Sequence, residues 1–479
     1  MTQKTRLKNK SRAAMLGTPS RWSPPQRLDG HLLAVTCTAL YAVLALSRWL
    51  NYRTMSWDLG IFEQVVSGYA HWQEPVSDLK GPGFNILGDH FSPVVALLAP
   101  LHGIWPSPVT LLMAQSVLLG WSVWPVTSAA AHLLGRRTGL LLGASYGLSW
   151  GLQRAADFDF HEIAFAVPMI AASLSALVTR RWYAALLWAL PLVLVKEDLG
   201  MTCMVVALIT AQRCRRGRTG LALIALATAA VGAVCCLFTV TVIIPAASGH
   251  GYDYWVKIGD RTDPVTALFR HGGGEKLRTL IWTLLPTTGL LALRSPLLLI
   301  ATPTLLWRFL SNDEHYWSTD WHYSAVLMPI TTIALVDALA AVRCTRRLYL
   351  RIYAGHLPTA LLASALALCT TLPFATLTEA ATYRADPAAK AGANVLATVP
   401  DGATVEVDIV PSAHLADRCR VFWIGDAGRG ADYIASYDPD HNSAEMLARA
   451  EQLHPHQRYT VISNASGYWV LKHIPNGTR

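Results

Sequence analysis

Apolar runs too long for the core helices of a soluble protein dominate the first four-fifths of the chain. Residues 31–50 (HLLAVTCTALYAVLALSRWL) form the first, and a bilayer core about 30 Å thick needs roughly 20 such residues in one helix. Further runs occur at about 109–134, 138–152, 163–179, 182–195, 199–211, 219–244, 277–293, 296–310, 322–342 and 352–376, which makes eleven expected spans. The stretch 91–106 (FSPVVALLAPLHGIWP) is amphipathic and is expected to lie along the membrane surface. From about residue 378 the pattern shortens to that of an α/β module. Asp386-Pro387 reads as an N-cap followed by Pro at the first helical position, leading a helix toward Leu396. Strands are expected at 404–410, 420–424 and 431–437, a helix near 442–453, and a final hairpin, YTVIS-NASG-YWVLK. The predicted fold is an all-α polytopic membrane protein of about eleven helices with a small extracytoplasmic α/β domain. Its parts are a basic tail (1–30), a transmembrane domain (31–377) with a large first external loop (51–108), and the terminal domain (378–479).

Composition agrees with this: 52% of residues are apolar and 15% charged, and the mean hydropathy is +0.32. The net charge of +9 takes its meaning from where the charges sit. Lys4, Arg6, Lys8, Lys10, Arg12, Arg21 and Arg27 precede the first run, so the N-terminus is expected in the cytoplasm, with the first run an uncleaved signal anchor. With eleven spans, every second connection carries Arg without acid, as at Arg136/Arg137, Arg180/Arg181, Arg294 and Arg343/Arg346/Arg347/Arg351. The opposite connections (51–90, 153–162, 196–198, 245–276 and 311–321) hold 17 Asp and Glu against 8 Lys and Arg. The positive-inside rule then places the protein in the cytoplasmic membrane with its C-terminus outside. It also accounts for the basic balance without nucleic acid. Eight cysteines make no disulfide framework, because only Cys419 lies in the polar C-terminal region.

Ionisable groups at a membrane boundary are costly and therefore mark candidate chemistry. They gather on one side: Asp58, Glu63, Asp89 and His90 in the first external loop, Arg154, Asp159, His161 and Glu162 in the second, Lys196, Glu197 and Asp198 in the third. If 58–68 is helical, Asp58, Phe62 and Val65 share a stripe, with Asp58 either a simple cap or a functional carboxylate. Asp159, His161 and His90 read as an acid–base network, a divalent metal site or interfacial caps. Lys196 either pairs with its acidic neighbours or, with Arg154, neutralises a lipid phosphate. The aromatic clusters around His315 and His322 are membrane-belt or sugar-stacking residues. Gly272-Gly273-Gly274 lacks the strand and Lys-Ser/Thr context of a phosphate loop.

WDLGIFEQ (57–64), GDHFSP (88–93), FDFHE (158–162) and VKED (195–198), in that order and followed by a terminal module, resemble the bacterial membrane proteins of domain-of-unknown-function family 2079. The resemblance covers essentially 31–475. That family is in turn similar to the C-type (GT-C) glycosyltransferases, which include the protein O-mannosyltransferases and the lipid A aminoarabinose transferases. The resemblance implies a polyprenyl-phosphate-linked sugar donor, transfer on the outer face and inversion at the anomeric carbon. It puts Asp58 in the place of the first-loop catalytic acid. The superfamily's Asp-Glu pair is Asp58-Leu59 here, so Glu63, Asp89 and Asp159 are the candidates for the second carboxylate. HYSAVLMP (322–329) is similar to the Arg-Tyr-rich start of a late helix, with His322 replacing Arg as a donor-phosphate ligand beside Lys196 and Arg154. His90, His161, Glu162, Glu197 and Asp198 are supporting or metal-contacting groups. The acceptor is open among peptide, glycan, lipid and secondary metabolite, and its recognition is expected in 245–276 and the terminal module. The competing readings are a transporter or flippase and a non-catalytic scaffold.

Overall fold

The computed structural model describes residues 24–53, 57–215, 218–249, 251–252, 254, 272–428 and 430–475. The basic tail before residue 24 and most of the 245–276 connection, with the acceptor recognition expected there, lie outside the described residues. The helices that matter below are α1 (Pro24–Leu50), α2 (Asp58–Ala70), α3 (Ala99–Ile104), α4 (Pro108–Trp121), α5 (Val123–Leu134), α6 (Arg136–Gly147), α7 (Trp150–Asp157), α8 (Ile163–Val178), α9 (Trp182–Ala189), α10 (Leu199–Cys214), α11 (Thr219–Phe238), α12 (Gly273–Thr288), α13 (Thr302–Leu310), α14 (Leu327–Val342) and α15 (Leu348–Leu368). Among the described residues, four helical stretches are long and apolar enough to cross a membrane: Leu28–Leu50, Pro108–Leu134, Thr219–Ser248 and His322–Val342. The expected count of eleven is therefore not reached by length and composition. Several runs are shorter or broken. The run at 138–152 is divided between α6 and α7, and α7 continues through Arg154 and Asp157, which were expected in a connection. The run at 182–195 ends in a 3₁₀ turn from Leu190 to Leu194, and 296–310 begins as another from Pro296 to Ala301. Pro at the first or second position of each turn removes a backbone donor and favours that tighter start.

The loop between α1 and α4 holds α2 and α3, with 3₁₀ turns before α3 from Pro93 to Leu98. Helix α2 forms as the stripe predicts: Phe62 and Val65 are buried while Asp58 stands at its first position, where the helix dipole favours a carboxylate. Glu63 and His102 are fully buried against each other, His102 Nε2 to Glu63 Oε1 at 2.6 Å, and so pin α2 to α3.

The terminal segment is a five-stranded sheet ordered β2-β1-β3-β5-β4. β1 (Thr404–Val407) is parallel to β2 (Arg420–Trp423) and to β3 (Tyr433–Tyr437), and β5 (Tyr468–Ile474) is antiparallel to β3 and to β4 (Arg458–Ala465). The strand expected at 404–410 stops at Val407, because Ile409–Leu415 turns into a helix, α17, following α16 (Pro387–Leu396). Asp386 caps α16 through the Ala388 amide, as expected. The last helix, α18 (Ser443–Leu453), carries a full capping box between Asn442 and Glu445.

This sheet is fastened to the first loop. Arg420 Nε reaches Asp78 Oδ2 at 2.7 Å, Gln64 Nε2 donates to the Val421 carbonyl at 2.8 Å, and Trp57 meets Trp423 edge-on at 5.1 Å. His414 of α17 is sandwiched between Trp49 at 3.8 Å and Tyr52 at 3.7 Å, and burial pushes its ring down to about 3, so it stacks as a neutral imidazole. Gly60 makes the close approach: a Cβ there would lie 2.9 Å from Leu79 Cδ1 and 3.4 Å from Ser412 Oγ. Gly60→Ala is expected to be tolerated by a shift of Leu79, whereas Gly60→Val should part α2 from α17 and cost about 1–3 kcal/mol. Limited proteolysis checks this, with release of the C-terminal hundred residues expected from the valine variant alone.

Candidate active site

The carboxylate-bearing tips meet at one end of the bundle. Asp58 begins α2, Glu162 precedes α8, Lys196-Glu197-Asp198 precedes α10, and His322 precedes α14. The charges of His161, Glu162, Lys80 and Asp89 all act on Asp58, and burial, the largest influence, pushes its carboxyl above the ordinary range. Among the described residues no hydrogen bond reaches that carboxyl. It is a partly buried carboxylate without a hydrogen-bond partner among the described residues.

Beside it runs a continuous polar chain. Lys80 Nζ lies 2.9 Å from Asp89 Oδ2, the Tyr254 hydroxyl donates to Asp89 Oδ1 at 3.1 Å and lies 2.8 Å from His90 Nε2, and His90 Nδ1 lies 2.9 Å from Glu197 Oε1. Tyr252 also donates to Glu197 Oε1, at 2.9 Å. Burial and Lys196 alone would discharge His90, but Glu197 and Asp89 outweigh them and raise its pKa. A protonated ring donates from both nitrogens, toward Glu197 and toward the Tyr254 oxygen, which suits the distances.

A second chain is deeper. Lys196 Nζ lies 3.4 Å from Glu162 Oε1, and His161 Nδ1 lies 2.6 Å from Glu162 Oε2. Burial opposes charge on Glu162, yet His161 and Lys196 hold its pKa well below the usual carboxylate range. Burial likewise opposes charge on Lys196, but the facing carboxylates, Glu162 first, raise its pKa. Lys196 is thus paired with its acidic neighbours. His161 stacks on His322 at 3.7 Å. His322 is 3% exposed, and neither of its ring nitrogens has a hydrogen-bond partner among the described residues.

Asp198 completes the cluster. It lines a cavity of about 60 Å³ with His90, Lys196, Glu197, Trp307 and Tyr316. Burial and neighbouring Glu197 push its pKa up to about 6, against an ordinary 3.8. A carboxyl whose folded value is raised binds its proton more tightly in the fold. Its contribution to stability is complete below its unfolded value and is lost as pH rises toward 6. Thermal unfolding from pH 4.5 to 6.5 should therefore show a downward slope that Asp198→Asn flattens; an identical slope in the variant would exclude Asp198 as its source.

Other expected site residues lie elsewhere. Glu63 is the buried partner of His102, and its charge acts on Asp417 of the terminal segment. Arg154 pairs with Asp320 at 3.3 Å. Asp159 adopts a left-handed backbone, φ 67°, and its carbonyl is bound by the Gln115 side chain. Gln115 also receives the His161 amide at 3.0 Å and donates to the Ala155 carbonyl at 3.0 Å, so it shapes the whole second loop. Among the described residues no three His, Cys, Asp or Glu side chains are placed to hold a metal ion. His90 instead faces Glu197 and Tyr254, so the Asp159, His161 and His90 donor set is not gathered. Lys80, Tyr252, Tyr254 and Gln115 were not singled out in the sequence.

The opposite end is basic. Arg213 clasps Asp337 at 3.1 and 2.8 Å, Ser295 Oγ donates to the same carboxylate at 2.6 Å, and Arg136 holds Asp29 at 2.5 Å.

Among solved structures the chain is similar to ArnT from Cupriavidus metallidurans bound to undecaprenyl phosphate, at 14% identity and a TM-score of 0.50, covering 94% of this chain and 99% of that one. It is also similar to ArnT from the same organism in the apo state, at 14% identity and a TM-score of 0.46, covering 93% and 100%. The first likeness shows a shared fold. No curated protein matches the sequence. A family model described as a predicted membrane protein, DUF2079, matches residues 49–470, nearly the whole chain. The chain belongs to this family of membrane proteins.

Proposed function

We propose that the protein is a membrane glycosyltransferase of the C type, moving a sugar from a polyprenyl-phosphate carrier to an acceptor hydroxyl on the outer face of the cytoplasmic membrane. The observation that carries this reading is the placing of Asp58, unpartnered and raised in pKa, beside Lys80, Asp89, His161 and Glu162, on a fold shared with an ArnT that was solved with undecaprenyl phosphate. The acceptor oxygen attacks the anomeric carbon from the face opposite the phosphate. As that bond forms, the carbon–oxygen bond to the carrier phosphate breaks, the phosphate keeps the electron pair, and the configuration inverts. Asp58 takes the acceptor's proton. Lys80 and Lys196 are the cations that steady the departing phosphate, each turning from a carboxylate that holds it beforehand. Asp89, His90 and Glu197 fix the geometry of Lys80 through the Tyr254 link. Every group named lies at one end of the bundle, which on the proposed orientation faces away from nucleotide sugars. The terminal sheet, fastened to the loop that carries Asp58, borders the acceptor side.

Mass analysis of lipid-linked sugars in a deletion strain tests this directly. One polyprenyl-phosphate sugar is expected to accumulate while one glycosylated product disappears. Unaltered pools of both would refute the proposal, and counterflow of labelled substrate through proteoliposomes would replace it with transport.

A further inference from the structure

Between α12 and α13 the chain does not continue as α-helix. It runs through left-handed Gly289 and Leu290, a 3₁₀ turn at Leu291–Arg294, extended Ser295 and a second 3₁₀ turn at Pro296–Ala301. Two short turns fill less space than an α-helix, and a groove of about 590 Å³ is left between this segment and α12. Its walls are Leu280, Leu284, Leu298, Leu299 and Leu305, and Arg294 and Ser295 close one end. Leu293 and Leu299 are 58% and 59% exposed, so the groove opens outward. Its Arg294 end lies far from Asp58 along the chain's own geometry: α10 and α14 both start at the Asp58 cluster, and Ser295 binds Asp337, near the far end of α14 and beside Arg213 at the far end of α10.

A positive charge stands at the rim of the groove. Arg213 is neutralised by Asp337, whereas Arg294 is exposed and makes no ion pair or hydrogen bond among the described residues. Apolar walls call for hydrocarbon, and an unpaired guanidinium at the rim calls for an anionic oxygen acceptor. A lipid with a phosphate headgroup meets both needs at once.

We infer that the groove binds one anionic glycerophospholipid, its phosphate on Arg294 and an acyl chain between α12 and α13, at the end of the bundle opposite the proposed transfer site. On the proposed orientation this is the cytoplasmic leaflet. The site is independent of Asp58, and its test reads binding rather than transfer.

The full-length protein, delipidated in mild detergent, is titrated with dioleoyl phosphatidylglycerol and with dioleoylglycerol, and adducts are counted by native mass spectrometry. One phosphatidylglycerol is expected to bind in clear preference to dioleoylglycerol. Arg294→Gln should weaken it roughly tenfold, the scale of one charge-assisted contact, and Leu299→Trp should block it with Arg294 intact. Unchanged melting of both variants keeps the comparison one of binding. Equal binding of phosphatidylglycerol and dioleoylglycerol, or variants that bind like the parent, would overturn the inference. So would displacement of the bound lipid by inorganic phosphate alone, which would make Arg294 a simple anion site, or preferential filling of the groove by undecaprenyl phosphate.

Discussion

Asp58→Asn is expected to lower turnover about 10²–10⁴-fold, the usual contribution of a positioned base, while leaving donor binding and melting temperature unchanged. The amide keeps the shape of the carboxylate but cannot take a proton. Because no hydrogen bond holds the Asp58 carboxyl among the described residues, its loss removes no side-chain hydrogen bond there. Because burial raises its pKa, the parent enzyme should lose activity on acidification at a higher pH than an ordinary aspartate would dictate, with the base ionised and active above that point. The check is a single-turnover rate with a purified polyprenyl-phosphate sugar, measured across pH for parent and variant. Equal rates in the two proteins would remove Asp58 from the mechanism and leave the scaffold reading in its place.

Lys196→Met is the second large effect. Lys196 is 5% exposed, Glu162 is fully buried, and the two lie 3.4 Å apart. Removing one partner of a buried pair leaves an uncompensated charge and typically costs about 3–5 kcal/mol. The variant should melt well below the parent in detergent. Lys196→Met/Glu162→Gln should recover part of that loss, since the Glu162 charge goes with its partner while Glu197 and Asp198 still lose their cation, and the recovery is the coupling that a double-mutant cycle measures. Turnover should stay low in both, because the phosphate has lost a cation. A fully active double variant would confine Lys196 to a structural role.

The residues that carry most of the site were legible because their cost in a membrane makes them conspicuous. FDFHE and VKED stand at the ends of apolar runs, where a carboxylate needs a reason to be. What position along the chain could not say is which way each side chain turns. Glu63 shares an octapeptide with Asp58, yet five residues at 3.6 per turn place it about 140° round the helix, on the face that meets His102. Lys80 and Tyr254 were hidden for the opposite reason, being isolated polar residues in loops with no periodicity to mark them. Gln115 sits within an apolar run, and only the fold shows that it holds the second loop from the neighbouring helix. The terminal strands were read well wherever alternation was clear. TVEVDIV overran because Ile409 and Val410 continue the apolar pattern while the backbone turns into α17.

The bond from Gln64 to Val421 joins residues 357 positions apart, and the pairing of Asp78 with Arg420 joins residues 342 apart. Synthesis therefore delivers the first loop long before the surface it rests on. Until residues 414–423 emerge, Trp49, Tyr52 and Trp57 lack the His414 and Trp423 rings they pack on. A chain cut before His414 would lack every contact that fastens the terminal sheet to this loop. Docking of the first loop thus waits on the terminal segment.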